Sequence, residues 1–164
     1  MPEDQQMNAA AAVVEDRPAD RTLIVERVFK APPERVFKAW TDPAILVRWW
    51  GPEGFETPEC EMDVRTGGAW RTTMVSPKGE GHTVSGVYRE ILPPLRLVMT
   101  WGWEQDGKRG HETVVKVTFE PSGAGTKMRL VQSVFESESA RDAHSEGWIS
   151  TLKDLEFFLF QETK

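Results

Sequence analysis

Three histidines are the first candidates for chemistry, because imidazole exchanges protons near neutral pH and binds metal ions. His82, His111 and His144 are far apart in the sequence, and His111 is adjacent to Glu112 on a predicted strand, where neighbouring side chains point to opposite faces. The chain has no metal-protease, phosphate-loop or dinucleotide-binding motif. These residues predict no metal site and no cofactor, and His82 and His111 are interpreted as exposed or strand-end residues.

His144 is the exception. It precedes Trp148 by one turn of a predicted C-terminal helix, at the edge of an apolar stripe. From there its imidazole could reach an internal cavity, either as a neutral hydrogen-bonding group or as a proton carrier. An ordinary structural contact is the alternative interpretation.

A second candidate group combines carboxylates with a thiol. Glu59, Glu61 and Asp63 alternate along a predicted strand and therefore share one face. Paired carboxylates can act as acid and base, but three at this spacing are typical of the solvated face of an outer strand. Cys60 points to the other face and is predicted to be buried, and no neighbour in the sequence would activate its thiol.

The aromatic residues favour a different chemistry, the binding of an apolar molecule. The chain holds seven tryptophans, eight phenylalanines and one tyrosine, and six methionines accompany them. Such side chains form adaptable apolar walls, and core packing is the alternative role for each. The residues predicted to border a ligand cavity are Trp70, Met74, Met99, Trp101, Trp103, Thr113, Val115, Met128, Leu130, His144, Trp148, Thr151 and Leu152.

Two adjacent tryptophans, Trp49 and Trp50, close a short predicted helix. Both cannot easily face inward, so one of them is predicted to lie at the cavity mouth or at an interface.

The elements that position these residues follow from hydrophobic periodicity and turn chemistry. Residues 22–30 predict a strand, and Pro33 and Pro43 open two short helices, the second capped by Asp42. Strands are predicted near 58–64, 69–76, 82–91, 95–104, 111–120 and 125–135. A long helix follows over about 139–160, with Ser139 and Asp142 as its capping pair and Trp148, Leu152, Leu155 and Leu159 as its buried stripe. Tight turns between the strands predict an antiparallel sheet that packs on this helix, an α+β fold.

Composition limits the class of protein. The chain has 164 residues and a net charge of −6, of which residues 1–20 carry five acidic side chains and one basic one. That segment is predicted to be a disordered acidic tail, followed by one domain over 21–164. The lone cysteine and the absence of a basic patch or a long apolar run predict a cytoplasmic protein that binds neither nucleic acid nor membrane.

Several separated runs resemble one known family, which is named after the activator of Hsp90 ATPase. They begin with APPERVFKAWTDP and RWWGP and include the pair Gly147-Trp148. Their positions are 31–43, 48–52, 61–65, 67–68, 86–91, 93–94, 100–101 and 147–148. The resemblance spans about residues 21–160 and implies the helix-grip fold of the START/Bet v 1-like superfamily, in which a curved sheet and a long helix enclose a cavity.

Three functions remain open from the sequence. The first is non-catalytic binding of a small hydrophobic or aromatic molecule, without a cofactor, in the cavity beneath the C-terminal helix. The second is a co-chaperone-like or stress-response module that binds a chaperone or another protein, which the resemblance alone implies. The third is a cyclase or hydratase that uses the same cavity, with His144 or a carboxylate as its acid or base. The oligomeric state is not predicted.

Overall fold

The computed structural model describes residues 18–162, which form one antiparallel sheet, two short helices and a long C-terminal helix. In chain order the elements are β1 (Leu23–Phe29), α1 (Pro33–Thr41), α2 (Pro43–Leu46), β2 (Glu56–Met62), β3 (Ala69–Val75), β4 (Gly81–Leu92), β5 (Arg96–Gln105), β6 (Lys108–Ser122), β7 (Gly125–Ser133) and α3 (Glu138–Glu162). The predicted α+β fold is confirmed.

The seven strands lie in the order β1-β7-β6-β5-β4-β3-β2, and every neighbouring pair is antiparallel. Five consecutive connections join neighbouring strands, whereas β1 crosses over to pair with β7. Helices α1 and α2 lie in that crossover, and Asp42 caps α2 by accepting a hydrogen bond from the Ala44 backbone, as predicted. All three helices pack against the curved sheet, α1 and α2 from the crossover and α3 from the C-terminal end.

The β5–β6 connection shows how turn chemistry sets a strand boundary. Asp106 and Gly107 both have positive φ, 55° and 78°, as a two-residue hairpin turn requires. The tight turn lets pairing resume at Lys108, opposite Gln105. Strand β6 therefore begins three residues before the predicted position at residue 111.

Helix α3 begins earlier than predicted. The Ser137 hydroxyl accepts a hydrogen bond from the Ala140 backbone N–H at 3.0 Å, so Ser137 caps the helix and the predicted capping pair of Ser139 and Asp142 is wrong. The predicted apolar stripe is confirmed, because its four members are at most 4% exposed. They are Trp148, Leu152, Leu155 and Leu159.

Two apolar residues inside the predicted strand ranges 95–104 and 125–135 lie outside the strands of the structure. Val134 follows the end of β7, has a φ of 69° and is 57% exposed, since the chain leaves the sheet there to enter α3. Leu95 lies in the turn between β4 and β5 and is 49% exposed. Alternation ends where strand pairing ends, and the predicted ranges extended past that point in both places.

Most of the predicted tail, residues 1–17 of 1–20, lies outside the described residues. Pro18–Arg21 forms a turn of 3-10 helix, and the Asp20 carbonyl accepts a hydrogen bond from Arg141 of α3. Over 18–162, no helix combines the length and apolar character needed to cross a membrane.

Candidate functional site

A cavity of about 250 Å³ lies between the concave face of the sheet and α3, and we call it the aromatic cavity. Four of the seven tryptophans line it, together with a loop after α2 and one side of α3. The complete lining is Trp50, Gly51, Pro52, Phe55, Met74, His82, Trp101, Trp103, Ala143, His144, Gly147, Trp148 and Thr151. The cavity is therefore walled mainly by aromatic and apolar side chains.

All seven tryptophans belong to one cluster in which each indole contacts at least one other. The ring centroids of contacting pairs are 5.1 to 6.5 Å apart, within the range of favourable aromatic contacts. Trp50 and Trp101 link the members that line the cavity to the deeper ones, Trp40, Trp49 and Trp70. The cluster forms the inner wall of the site.

Hydrogen bonds through Gln132 fix the orientation of Trp148. The Trp148 indole donates to the Gln132 side-chain oxygen at 2.8 Å, and the Gln132 amide donates to the Thr113 hydroxyl at 2.8 Å. That hydroxyl donates to the Trp101 carbonyl at 3.2 Å. These bonds connect α3 with β7, β6 and β5, and Gln132 is fully buried. Each buried polar group is thus satisfied by the next one, as such groups require.

The structure buries both Trp49 and Trp50, which are 2% and 4% exposed, so the expectation that the two could not easily face inward together is wrong. Trp49 donates to the Ala39 carbonyl and packs on Trp40 of α1. Trp50 also contacts Trp40, but it donates to the Thr72 hydroxyl and lines the aromatic cavity. Adjacent side chains can both be buried here because the chain passes between α1 and the sheet.

His144 lies at the edge of the cavity with both ring nitrogens engaged. Its Nε2 accepts a hydrogen bond from the Trp103 indole at 2.8 Å, and its Nδ1 donates to the Ala140 carbonyl at 2.7 Å. An accepting Nε2 and a donating Nδ1 define a neutral imidazole with its proton on Nδ1. Any proton transfer by His144 would first have to break one of these bonds, so the geometry favours a structural role.

The structure separates the predicted cavity residues into three groups. Met74, Trp101, Trp103, His144, Trp148 and Thr151 line the aromatic cavity. Trp70 and Met99 border a separate void of only about 10 Å³, and Thr113 lines a second, polar hollow. The fully buried core residues are Val115, Met128, Leu130 and Leu152. This last group does not border the cavity.

Sequence reasoning missed several lining residues. Phe55, Gly51 and Pro52 belong to the loop after α2, which no periodic pattern places over the sheet. Ala143 and Gly147 had a usable signal, since they precede Thr151 by eight and four residues and so share its helix face. His82 lines the cavity because it pairs directly with Met74 across β3 and β4.

The carboxylates lie elsewhere. Glu59, Glu61 and Asp63 are exposed along or just after β2, an edge strand, which confirms the prediction of a solvated outer face. Among the described residues, no group of three or more His, Cys, Asp and Glu side chains is arranged to hold a metal ion.

Cys60 is half-buried rather than fully buried, because β2 has a neighbour on one side only.

Burial raises the pKa of the Cys60 thiol to about 11, and the nearby Glu61 charge adds to the increase. At pH 8 a thiol with this pKa is ionised in about one molecule in a thousand, against roughly one in four for an ordinary thiol. We therefore expect a disulfide reagent such as DTNB to react with the folded protein at least about a hundredfold more slowly than with the protein in urea. The rate in the folded state should keep rising towards pH 11. Rapid labelling of the folded protein at pH 8 would contradict this assignment.

The long helix held by a curved antiparallel sheet, with a cavity between them, defines a helix-grip fold. Residues 30–159 match the family described as activator of Hsp90 ATPase homolog 1-like protein, and the chain belongs to that family.

Solved structures agree with this assignment. The AHSA1 protein of Silicibacter pomeroyi is 35% identical, with a TM-score of 0.79 over 86% of this chain and 99% of that one. A protein from Chromobacterium violaceum is 30% identical, with a TM-score of 0.74 over 85% and 96% of the two chains. A protein from Arthrobacter aurescens is 25% identical, with a TM-score of 0.79 over 91% of each. Among curated proteins, no match to this sequence was found.

Proposed function

We propose that this protein binds a small hydrophobic or aromatic molecule in the aromatic cavity, without catalysing a reaction on it. The observation that carries the proposal is the cavity itself, where four indoles, Phe55 and Met74 converge beside α3. Concave sites with mainly aromatic walls and a few polar groups are the usual form of small-molecule sites.

The cavity volume limits the size of the ligand. An engineered cavity of about 150 Å³ with apolar walls takes up benzene. A volume of about 250 Å³ therefore has room for a molecule with two fused rings. The face of such a ring would pack on the indoles, and its edge would approach polar groups of the lining. Those with further hydrogen-bonding capacity include His82, Thr151 and the Trp101 indole N–H, which is buried without a partner.

The experiment is a titration with 2-naphthol, followed by NMR of the tryptophan indole N–H groups. We expect saturable shifts of the indoles that line the cavity, Trp50, Trp101, Trp103 and Trp148. Trp49 is the internal control, because it lies behind the cluster and donates to the Ala39 carbonyl. The proposal would be wrong if no naphthalene or biphenyl probe produced saturable shifts, or if the shifts were confined to residues outside the cavity.

A second candidate function is a co-chaperone-like role. It is supported by the description of the family and by the outer face of α3, where Phe157 and Phe160 are 63% and 55% exposed. Large exposed aromatic side chains are typical of protein-binding surfaces. The test measures ATP turnover of an Hsp90-type chaperone with and without the protein, using Phe157→Ser as the surface variant. A rate that rises with the wild-type protein and less with the variant would support this role, and no binding and no change would exclude it.

A further inference from the structure

A second space adjoins the aromatic cavity, and we call it the outer hollow. It measures about 860 Å³ and is bordered by the start of β4, the β5–β6 hairpin and the segment before α3. His82, Trp101, Trp103 and His144 line both spaces. A molecule bound in the aromatic cavity could therefore extend into the outer hollow past the Trp103–His144 pair.

The two spaces differ in chemistry. The aromatic cavity is walled mostly by rings and methyl groups, whereas hydroxyl, amide, imidazole and charged groups line most of the outer hollow. Examples are Thr83, Gln105 and His111. A ligand that occupies both spaces must place apolar surface in one and hydrogen-bonding groups in the other, since a buried polar group without a partner is costly.

The charges of the outer hollow are mixed, and two of them are already paired. Hydrogen bonds from Arg71 hold Glu104 and lower the pKa of its carboxyl, and Arg109 donates to Glu112 at 3.0 Å. Lys108, Glu80 and Glu136 also line the hollow, and none of these three forms an ion pair with another described residue.

Opposite charges spread in this way do not match an anion or a cation of high charge. They match hydroxyl groups, which both donate and accept hydrogen bonds.

We infer that the ligand has two parts: a planar apolar part that fills the aromatic cavity, and a neutral part with several hydroxyl groups that lies in the outer hollow. This inference rests on the proposed function and deepens it. A two-part ligand also fits the size of the site. The aromatic cavity alone is smaller than the roughly 300–1,000 Å³ of most ligand sites, and the outer hollow adds the missing volume.

Calorimetry with four related probes tests the inference: 2-naphthol, its β-D-glucoside, its phosphate and the cation 2-naphthylmethylamine. One or two net hydrogen bonds in the outer hollow correspond to about a tenfold gain, so the glucoside should bind about tenfold more tightly than 2-naphthol. Each charged probe should bind more weakly than the glucoside. If a charged probe bound most tightly, or if the glucoside gained nothing, the inference would be overturned while the proposed function stood. If 2-naphthol and the glucoside both failed to bind, the proposed function and the inference would be overturned together.

Two double variants test whether the tighter binding of the glucoside arises in the outer hollow. Gln105→Ala combined with Glu136→Ala removes two exposed side chains of the outer hollow. The double variant should bring the Kd of the glucoside to within about threefold of that of 2-naphthol, whose own Kd should not change. Lys116→Ala combined with Glu120→Ala is the matched control on the opposite face of the sheet, where both side chains are exposed. If the glucoside kept its full advantage in the first double variant, the outer hollow would not be its site.

Discussion

Replacing Gln132 with alanine is expected to lower the free energy of unfolding by about 3–5 kcal/mol. The change empties the space of a fully buried side chain, and it removes the acceptor of the Trp148 indole and the donor to the Thr113 hydroxyl. A buried donor without a partner alone costs roughly 1–3 kcal/mol. Urea unfolding followed by circular dichroism measures this loss. The comparison holds when the slope of the free energy of unfolding against urea concentration is the same in the variant and the wild-type protein.

Two control variants separate the contributions. Gln132→Met keeps most of the volume but loses the hydrogen bonds, so it should cost about 1–3 kcal/mol, less than the alanine variant. Thr113→Val removes the two hydrogen bonds of the Thr113 hydroxyl while Trp148 keeps its acceptor. It should therefore lower the free energy of unfolding the least of the three variants. If Gln132→Ala lowered the free energy of unfolding by less than 1 kcal/mol, the hydrogen bonds through Gln132 would not hold α3 on the sheet.

Replacing Gly147 with leucine is expected to abolish binding of 2-naphthol, or to weaken it at least tenfold, without destabilising the fold. Gly147 lines the aromatic cavity, and a Cβ at this position would meet no atom within 4 Å beyond its chain neighbours and the backbone of its own helix. Helical side chains lean towards the preceding turn, so a leucine would extend over Ala143 and His144 at the cavity wall. Leucine also forms helix more readily than glycine, which should raise the free energy of unfolding by up to about 1 kcal/mol.

Gly147→Ala is the matched control, because it gives a similar gain in helix propensity and adds only a methyl group to the cavity. We expect it to bind 2-naphthol nearly as well as the wild-type protein does. Calorimetry and thermal unfolding of both variants separate occlusion from destabilisation. Tight binding by a stably folded Gly147→Leu variant would place the ligand outside the aromatic cavity.

Local patterns in the sequence predicted much of the fold. Alternation along residues 95–103 placed Trp101 on the inner face of the sheet, and helical spacing placed Leu152 and Leu155 against it. Asp42 was predicted as a cap from its position before Pro43, and the structure confirms it. Boundaries were less accurate at Ser137 and Val134, since a cap depends on where the chain leaves the preceding strand.

Much less of the candidate site could be predicted. Trp70, Met99, Val115 and Leu130 share the inward direction of Trp101, but none of them lines the aromatic cavity. Direction follows from the period of a strand, whereas distance from the cavity depends on which neighbours fill the intervening space. Helical spacing could have predicted Gly147 as a lining residue, because it lies one turn before Thr151 on the same helix face. Phe55 could not be predicted in this way, because its position depends on the path of a loop.

By itself, the sequence determined most of the residues that face inward, the α+β class and the resemblance to the family, because each of these depends on local spacing and short motifs. Only the tertiary structure decided that seven tryptophans far apart in the chain meet in one cluster. It also decided that both nitrogens of His144 are engaged and that a cavity of about 250 Å³ remains. The physical reason is that a cavity is the small difference between the space enclosed by a curved sheet and the volume of the side chains that fill it. Strand register and sheet curvature set that difference, so the volume of the cavity cannot be predicted from local sequence patterns.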